Sequence, residues 1–365
     1  MNTHIRGKVI LALGADIKNR AVTGDGRVLY AGPDIGDLSE AGNFASFKRG
    51  INALIKKIKK KPDIIAHDTH PAYFSSRYAK SLAAVYPFAV LMPVQHHFAH
   101  IASVIFERGL KGPVIGVSFD GTGYGADGNI WGGEFLICAS GRFRRFARLK
   151  YRKMPGGDKV VSEPWRMAVS VLGAGATAFL THVPAGDVNI VLSMLSKNIN
   201  CPLTSSAGRI FDAAAALMGL TEYASYEAEG PIRLERICDA KEKGSYRFGA
   251  GRESGLIIVD TDGMFRDIIR DIKRGVDPSA ISGKFHNTMA DIIISVVTPA
   301  ARKRKINSVA LSGGVFLNKV LFAKASEGLK ARGFSVYTNT NIPVSDLNVG
   351  YGQYYMAGVG SRMLV

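Results

Sequence analysis

Three histidines fall within five residues, at His96, His97 and His100. His96 and His100 are spaced i, i+4, so a helix through them puts both imidazoles on one face. Farther along, the apolar run Val114–Phe119 ends in Asp120-Gly121-Thr122-Gly123-Tyr124-Gly125. A strand that stops at an aspartate and a glycine-rich turn can hold a phosphate on backbone N–H groups or a cation on the carboxylate. Alone, a histidine pair on a helix is an ordinary core or surface feature, and a DGxGxG run is an ordinary turn. Together they strengthen each other, because divalent metals and phosphate-type ligands share sites.

Other chemistry-bearing residues lie at the ends of regular elements. His67-Asp68-Thr69-His70-Pro71 closes the short strand Ile64-Ile65-Ala66, and strand ends are where open α/β sheets place their sites. Asp212 sits inside the apolar helix 210–217. A buried carboxylate without a partner costs several kcal/mol, so Asp212 needs a ligand, solvent or a salt bridge to a base such as Arg209. Ser205 and Ser206 stand where a cap for that helix belongs. The strand 308–311 runs into Ser312-Gly313-Gly314-Val315, and a helix follows with Asn318 and Lys319 in its first turn. Strand, Gly-Gly, helix admits a nucleobase or phosphate close to the backbone, as many βα turns do.

The elements that must position these groups read as α/β. Residues 8–14 form a buried strand, Asp25-Gly26 is a hairpin signal, and 28–30 is the returning strand. Apolar residues at 44, 47, 51, 54, 55 and 58 have helical period. Helices are expected near 73–85 and from the histidines to about Leu110. From Val114 the pattern repeats as strand, glycine turn, strand 133–138 and a third strand near Phe143. Two related lobes, 1–112 and 113–365, are therefore expected, the second with a largely helical insertion at about 154–280. The turns Gly14–Asn19 and Asp120–Gly125 would face each other across a cleft, with Gly14 and Gly121 giving a nucleotide room to approach.

Composition narrows the class. The 365 residues are 47% hydrophobic and 21% charged, as in ordinary globular proteins. No apolar run is long enough for a transmembrane helix, and the N-terminus lacks a signal-peptide core. The three cysteines form no CxxC pair, which fits a reducing, cytoplasmic setting. The net charge of +17 is concentrated in runs such as 56–61 and 302–305. These read either as solvated faces or as attraction to an acidic protein, a nucleotide or RNA. No aromatics interleave the runs, which weakens the single-stranded RNA reading.

Taken in order, LALGADIKN, AHDTHP, VQHHFAH, FDGTGYG, WGGEF, PGGDKVVSEPWRMA, CPLTSSAGRIFDA, FHNTMA and LSGGVFLN resemble the C-terminal carbamoyltransferase domain of the hydrogenase-maturation protein HypF. The resemblance covers nearly the whole chain. A more distant relative is TsaD, which transfers threonylcarbamoyl to tRNA adenine. Both belong to the actin, Hsp70 and sugar-kinase superfold, which agrees with the duplicated lobes. The resemblance implies that carbamoyl-adenylate, formed from ATP by a YrdC-like protein or domain, lies between the lobes. Its carbamoyl group would pass to the C-terminal cysteine of HypE, toward the cyanide ligand of nickel–iron hydrogenase. It implies an iron or zinc ion on His96, His100, Asp120 and Asp346. It also places Asp212 on the ribose, Gly313, Gly314 and Asn318 on the adenosine side, and Lys18 and Asn19 near the phosphate. The nucleophile comes from the partner, so no catalytic cysteine is needed.

The chain departs from the family pattern in three ways. The acylphosphatase, zinc-finger and YrdC-like regions of full-length HypF are not in this sequence, so use but not synthesis of carbamoyl-adenylate is expected. Ser345-Asp346-Leu347-Asn348 stands where the family has Asn-Asp-Gly-Gly, and Glu227-Ala228-Glu229-Gly230-Pro231 where it has Glu-Gly-Gln-Ala-Ala. Three further readings follow behind the first: another carbamoyl acceptor, threonylcarbamoyl transfer to tRNA, and a non-catalytic nucleotide-binding partner. Nucleic acid is the less favoured partner, and no membrane association is expected.

Overall fold

The structure is a computed structural model that describes residues 7–139, 141–360 and 362–363. In the first half, β1 (Ile10–Ala12), β2 (Val22–Gly24) and β3 (Leu29–Ala31) form an antiparallel meander whose second turn is Asp25-Gly26. Helix α1 (Asn43–Ile58) follows, burying Phe47, Ile51, Leu54 and Ile58 at helical spacing. Then come β4 (Ile64–Asp68), α2 (Phe74–Val85) and β5 (Val90–Val94). The sheet order is β3-β2-β1-β4-β5, with β4 parallel to both β1 and β5. Helix α3 (His96–Arg108) carries the histidines. Gln95 caps it, its side chain accepting from the Phe98 N–H.

The second half repeats that order. β6 (Val114–Tyr124), β7 (Ile130–Ala139) and β8 (Arg142–Leu149) are antiparallel. β9 (Arg152–Lys153), α4 (Lys159–Ser162), α5 (Trp165–Leu172), α6 (Ala185–Lys197), β10 (Leu203–Thr204), α7 (Ala207–Leu217) and α8 (Glu229–Arg236) come next. They are followed by β11 (Gly249–Glu253), β12 (Leu256–Asp260), α9 (Asp262–Lys273) and the long α10 (Pro278–Arg304). β13 (Ser308–Ser312), α11 (Lys319–Lys330), β14 (Ser335–Tyr337), α12 (Val349–Gly358) and β15 (Arg362–Met363) complete the chain's elements. The path β8-β7-β6-β13-β14 is the strand order of the first sheet, and β13 is parallel to β6 and β14. The fold class is thus the expected α/β duplication of the actin, Hsp70 and sugar-kinase type.

Residues 154–280 are largely helical, as expected, and within them the hairpin β11–β12 extends the second sheet beyond β8. Its two-residue loop, Ser254-Gly255, has positive φ at both positions, the conformation that a right-twisted hairpin favours. One local expectation changes, at Asp120–Tyr124, which is strand rather than turn. β6 shifts register between Phe119 and Gly123, then pairs again with Trp131 and Ile130. The reversal comes later, at 125–129, where the Gly125 N–H donates to the Asn129 carbonyl. Glycine permits this bulged continuation. A Cβ on Gly123 would fall 2.5 Å from the His97 ring and 2.9 Å from that of His96, so the strand passes under both imidazoles only without a side chain there.

Two helices join the halves. α3 packs on β6 and β13 of the second sheet, while α12, from the far end of the chain, packs on β1 and β4 of the first. α3 and α12 also pack on each other, and the Ala99 carbonyl lies where a Cβ on Gly352 would be. One core cluster accordingly mixes Ile10, Phe98, Val114, Ala310 and Val349. The chemistry sits where these two helices begin.

Candidate functional site

His96 and His100 project from α3 with ring centroids 4.8 Å apart, both fully buried. Asp120 reaches them from β6, and Asp346 from the turn ahead of α12. His96 Nε2 lies 3.4 Å from Asp120 Oδ2 and 3.6 Å from Asp346 Oδ1; the distances from His100 Nε2 are 3.4 and 3.7 Å. One ligand-type atom from each of the four residues lies within 4.8 Å of the others. These separations are long for hydrogen bonds but match donors spread around a small cation.

The far side of each ring is held. His96 Nδ1 meets Asp68 Oδ2 at 2.9 Å, and His100 Nδ1 meets Asn348 Oδ1 at 2.7 Å. An oxygen on Nδ1 fixes the tautomer and turns Nε2 inward, as behind metal-bound imidazoles. His96 Nε2 is buried with no hydrogen-bond partner. Burial alone would keep His96 neutral, but the carboxylates of Asp346, Asp120 and Asp68 outweigh it and hold the imidazole well above its usual range. Burial works against ionising Asp120, yet His100 and His96 hold it well below the usual carboxylate range. A pocket with three carboxylates around a buried imidazole therefore calls for a positive charge, which a proton or a metal ion can supply. The third histidine does something else. Burial pushes His97 well below its ordinary range, and its Nδ1 lies 3.0 Å from Gln95 Nε2, which also donates to the Tyr124 carbonyl.

Asp120 and Asp346 also line a cavity of about 520 Å³ between the halves. Lys18 enters it from the first half with φ 51°, its ammonium 2.8 Å from the Glu227 carboxylate across the opening. Gly121, Gly314 and Asn318 line it as expected. The Gly314 N–H donates to Asp120 Oδ1 at 2.9 Å. Gly313 has φ 100°, and a Cβ there would fall 2.3 Å from the Phe119 carbonyl oxygen, so it shapes the loop without lining the cavity. Asn318 is the cap of α11 rather than a member of its first turn. Its Oδ1 accepts from the Leu321 N–H, and its Nδ2 lies 2.9 Å from His286 Nε2.

Gly14 and Asn19 do not line the cavity. The Gly14 N–H donates to Gln353 Oε1, and the buried Asn19 amide donates to the carbonyls of Leu13 and Ala15. Both brace the turn that presents Lys18. Asp212 also stands behind the wall, while its neighbours Gly208, Arg209 and Phe211 line it. Arg209 Nε is 2.8 Å from Asp212 Oδ2, but neither atom has a hydrogen bond of good geometry. Burial pushes Asp212 up to about 6, with Arg209 opposing. Three further residues support the site without a role assigned to them from the sequence: Asp68 stands out there as a polar strand end, Asn348 as the neighbour of Asp346, and Glu227 as a departure from the family pattern.

Known proteins carry the same pattern. The family models "HypF Kae1-like domain" and "Carbamoyltransferase, Kae1-like Domain, second subdomain" match residues 6–107 and 116–353. Carbamoyltransferase HypF2 of Cupriavidus necator is 32% identical over 376 residues, covering 96% of this chain and 46% of that protein. The carbamoyltransferase HypF homolog of the same organism is 33% identical over 367 residues, covering 95% of this chain and 91% of that one. A crystal structure of full-length HypF in a phosphate- and nucleotide-bound form superposes with a TM-score of 0.92 at 34% identity, covering 98% of this chain and 56% of that chain. Relatives thus come in two lengths, and the chain spans about half of the longer ones.

Proposed function

The chain belongs to the HypF carbamoyltransferase family, and from that premise we propose that it moves a carbamoyl group from carbamoyl-adenylate to the C-terminal cysteine of a HypE-like acceptor protein. The adenylate occupies the interlobe cavity, its phosphate toward Lys18 and its adenosine toward Gly314, Asn318 and the Arg209–Asp212 pair. The acceptor's thiolate attacks the carbamoyl carbon. A C–S bond forms, the bond from that carbon to the phosphate oxygen breaks, and AMP leaves with the electron pair. Lys18 and the backbone N–H of Gly121 stabilise the charge that gathers on the leaving phosphate. Asp212 and Arg209 orient the nucleoside, and the buried walls keep water from taking the carbamoyl group.

The donor set suits an iron or zinc ion held by His96, His100, Asp120 and Asp346. The orphaned, inward-turned His96 Nε2 is the observation that fits it best. Such an ion would polarise the carbamoyl carbonyl or orient the phosphate. A YrdC-like protein or domain supplies the adenylate, and the reaction takes place in the cytoplasm, where the acceptor thiol stays reduced. Among the described residues no helix is long and apolar enough to cross a membrane.

The observation that carries this reading is that Asp120 faces both ways: it belongs to the histidine cluster and it accepts the Gly314 N–H at the cavity wall. The test is to incubate the chain with carbamoyl-adenylate and either HypE or bulk tRNA, then to analyse each by mass spectrometry. Carbamoylation of the HypE terminal cysteine is expected. Modified tRNA with unmodified HypE would replace this reading with the tRNA one.

A further inference from the structure

A second cavity, about 560 Å³ in volume, lies outside the site described above. It exists because the edge of β8 is incompletely covered. β12 pairs with β8 only from Ala147 onward, and β15 pairs with it at Arg142 and Phe143. Among the described residues no strand covers that edge at 144–146. The C-terminal end of α10 and the loop of the β11–β12 hairpin wall the notch.

Its lining divides sharply. The interior is apolar, with Phe98, Trp131, Phe146 and Ile257, and the exposed Pro299 also lines the cavity. The rim carries Arg144, Arg252, Lys303 and Arg304, which come from three separate elements and are all exposed. None of these four has a carboxylate partner among the described residues. One carboxylate, Asp127, does line the cavity, but it is consumed by Trp131 Nε1 at 2.8 Å, the Tyr151 hydroxyl at 2.5 Å and Arg145 at 3.2 Å. Arg145 in turn is tied to Glu134 and stacked over Trp131, so it is not part of the unpaired set. Partial burial, with the neighbouring Arg144 adding to it, pushes Arg304 below the usual guanidinium range.

We propose that this cavity is a second ligand site, taking a small organic phosphate that carries an aromatic or apolar body. A phosphoryl group brings two negative charges in a compact form that arginine forks match better than a single carboxylate. The apolar interior needs a nonpolar portion attached to that group. A notch of this volume accepts a small molecule end-on. The buried aromatics offer no exposed platform on which successive bases of a nucleic acid could stack. The proposal does not depend on the reaction assigned to the interlobe cavity.

Calorimetric titration with phenyl phosphate, inorganic phosphate and phenol tests it. Phenyl phosphate is expected to bind saturably and more tightly than either fragment. Arg252→Ala/Lys303→Ala should weaken it at least about tenfold, and both positions are exposed, so the fold is kept. Lys56→Ala/Lys61→Ala removes the same charge elsewhere and should leave binding unchanged, as should Lys18→Ala in the interlobe cavity. Equal weakening by the Lys56/Lys61 pair would reduce the effect to net charge and overturn the site. Loss through Lys18→Ala would move binding to the first cavity and also overturn it, as would the absence of any saturable heat. Displacement of phenyl phosphate by a short oligonucleotide lacking terminal phosphates would overturn the small-molecule assignment in favour of a polymer.

Discussion

The two halves share a strand order but divide their charge in opposite ways. Ala12 is the last residue of β1 paired with β4, opposite Ala66, and Ser118 is the last residue of β6 paired with β13, opposite Ser312. Counting two residues on from these pairs, Gly14 is the counterpart of Asp120, and Asp68 is the counterpart of Gly314. Each half thus offers one carboxylate and one glycine at its strand ends, with the assignment reversed. Asp68 reaches His96 Nδ1 from one side and Asp120 reaches Nε2 from the other. The duplication supplied two equivalent places, and filling them unequally put an acid on each side of one imidazole. The first half's remaining acid there, Asp16, went to structure: it accepts from the Phe74 and Ser75 N–H groups and the Ser75 hydroxyl at the start of α2.

Breaking the second-half acid has the largest expected effect. Asp120→Asn should abolish metal retention and lower carbamoyl transfer by about a hundredfold or more, because it removes a ligand and recasts the contact to Gly314. Elemental analysis and a transfer assay read both. Asp16→Asn should leave the metal content intact and lower stability by about 1–3 kcal/mol, from weakened buried hydrogen bonds. Metal loss in Asp16→Asn and retention in Asp120→Asn would invert the comparison.

Breaking the first-half acid should cost less. Asp68 touches a ring nitrogen facing away from the pocket, so Asp68→Asn is expected to weaken metal affinity about 10–100-fold while leaving some transfer at saturating metal. Competition with a chelator measures this. A variant as inert as Asp120→Asn at saturating metal would make Asp68 a direct participant.

Much of this arrangement was legible in the sequence, and the illegible part has a physical cause. The i, i+4 histidines and the duplicated strand–hairpin pattern depend on periodicity, which is local, so they survive translation into structure. The run Asp120–Gly125 misled because glycines signal a turn by default, whereas here they thin a strand that passes beneath two rings. Gly14 and Asn19 looked like ligand contacts because turns near a cleft usually are. Their partners, Gln353 and the carbonyls of Leu13 and Ala15, show a bracing role that only tertiary packing reveals. Glu227 stands out in the sequence only as a departure from the family pattern; its contact with Lys18 could not be read, since it spans more than half the chain.

Asp212, in the second half, sharpens the contrast by its pH dependence. Its folded pKa, about 6, lies above the ordinary value of 3.8. The folded chain therefore binds this proton more tightly than the unfolded chain, and stability falls as pH rises from about 4 to 6. Above that window the ionised carboxylate costs on the order of 3 kcal/mol in the ligand-free protein. Asp212→Asn should raise the melting temperature at pH 7, with the gain vanishing by about pH 4, and should weaken nucleoside binding. A melting difference that does not change across this range would remove the buried-charge account.

The smallest effect is expected where the halves meet through exposed groups. Lys18 and Glu227 form an ion pair with 40% and 57% of their side chains exposed, and such pairs contribute about 0–1 kcal/mol. Glu227→Gln should therefore move the melting temperature by no more than about 2 °C. Its effect on ligands should have a definite sign. The same ammonium is the first half's cation at the cavity, so Glu227 competes with an incoming phosphate for Lys18. Releasing Lys18 should tighten AMP binding about two- to fivefold at low ionic strength. The gain should shrink as salt rises, because screening acts within about 8 Å at physiological ionic strength. Lys18→Ala should weaken AMP and make the Glu227 substitution silent, since the two act through one contact. Weaker AMP binding in Glu227→Gln would mean instead that the carboxylate holds Lys18 in place for the phosphate, and the first half's cation would then depend on the second half for its position.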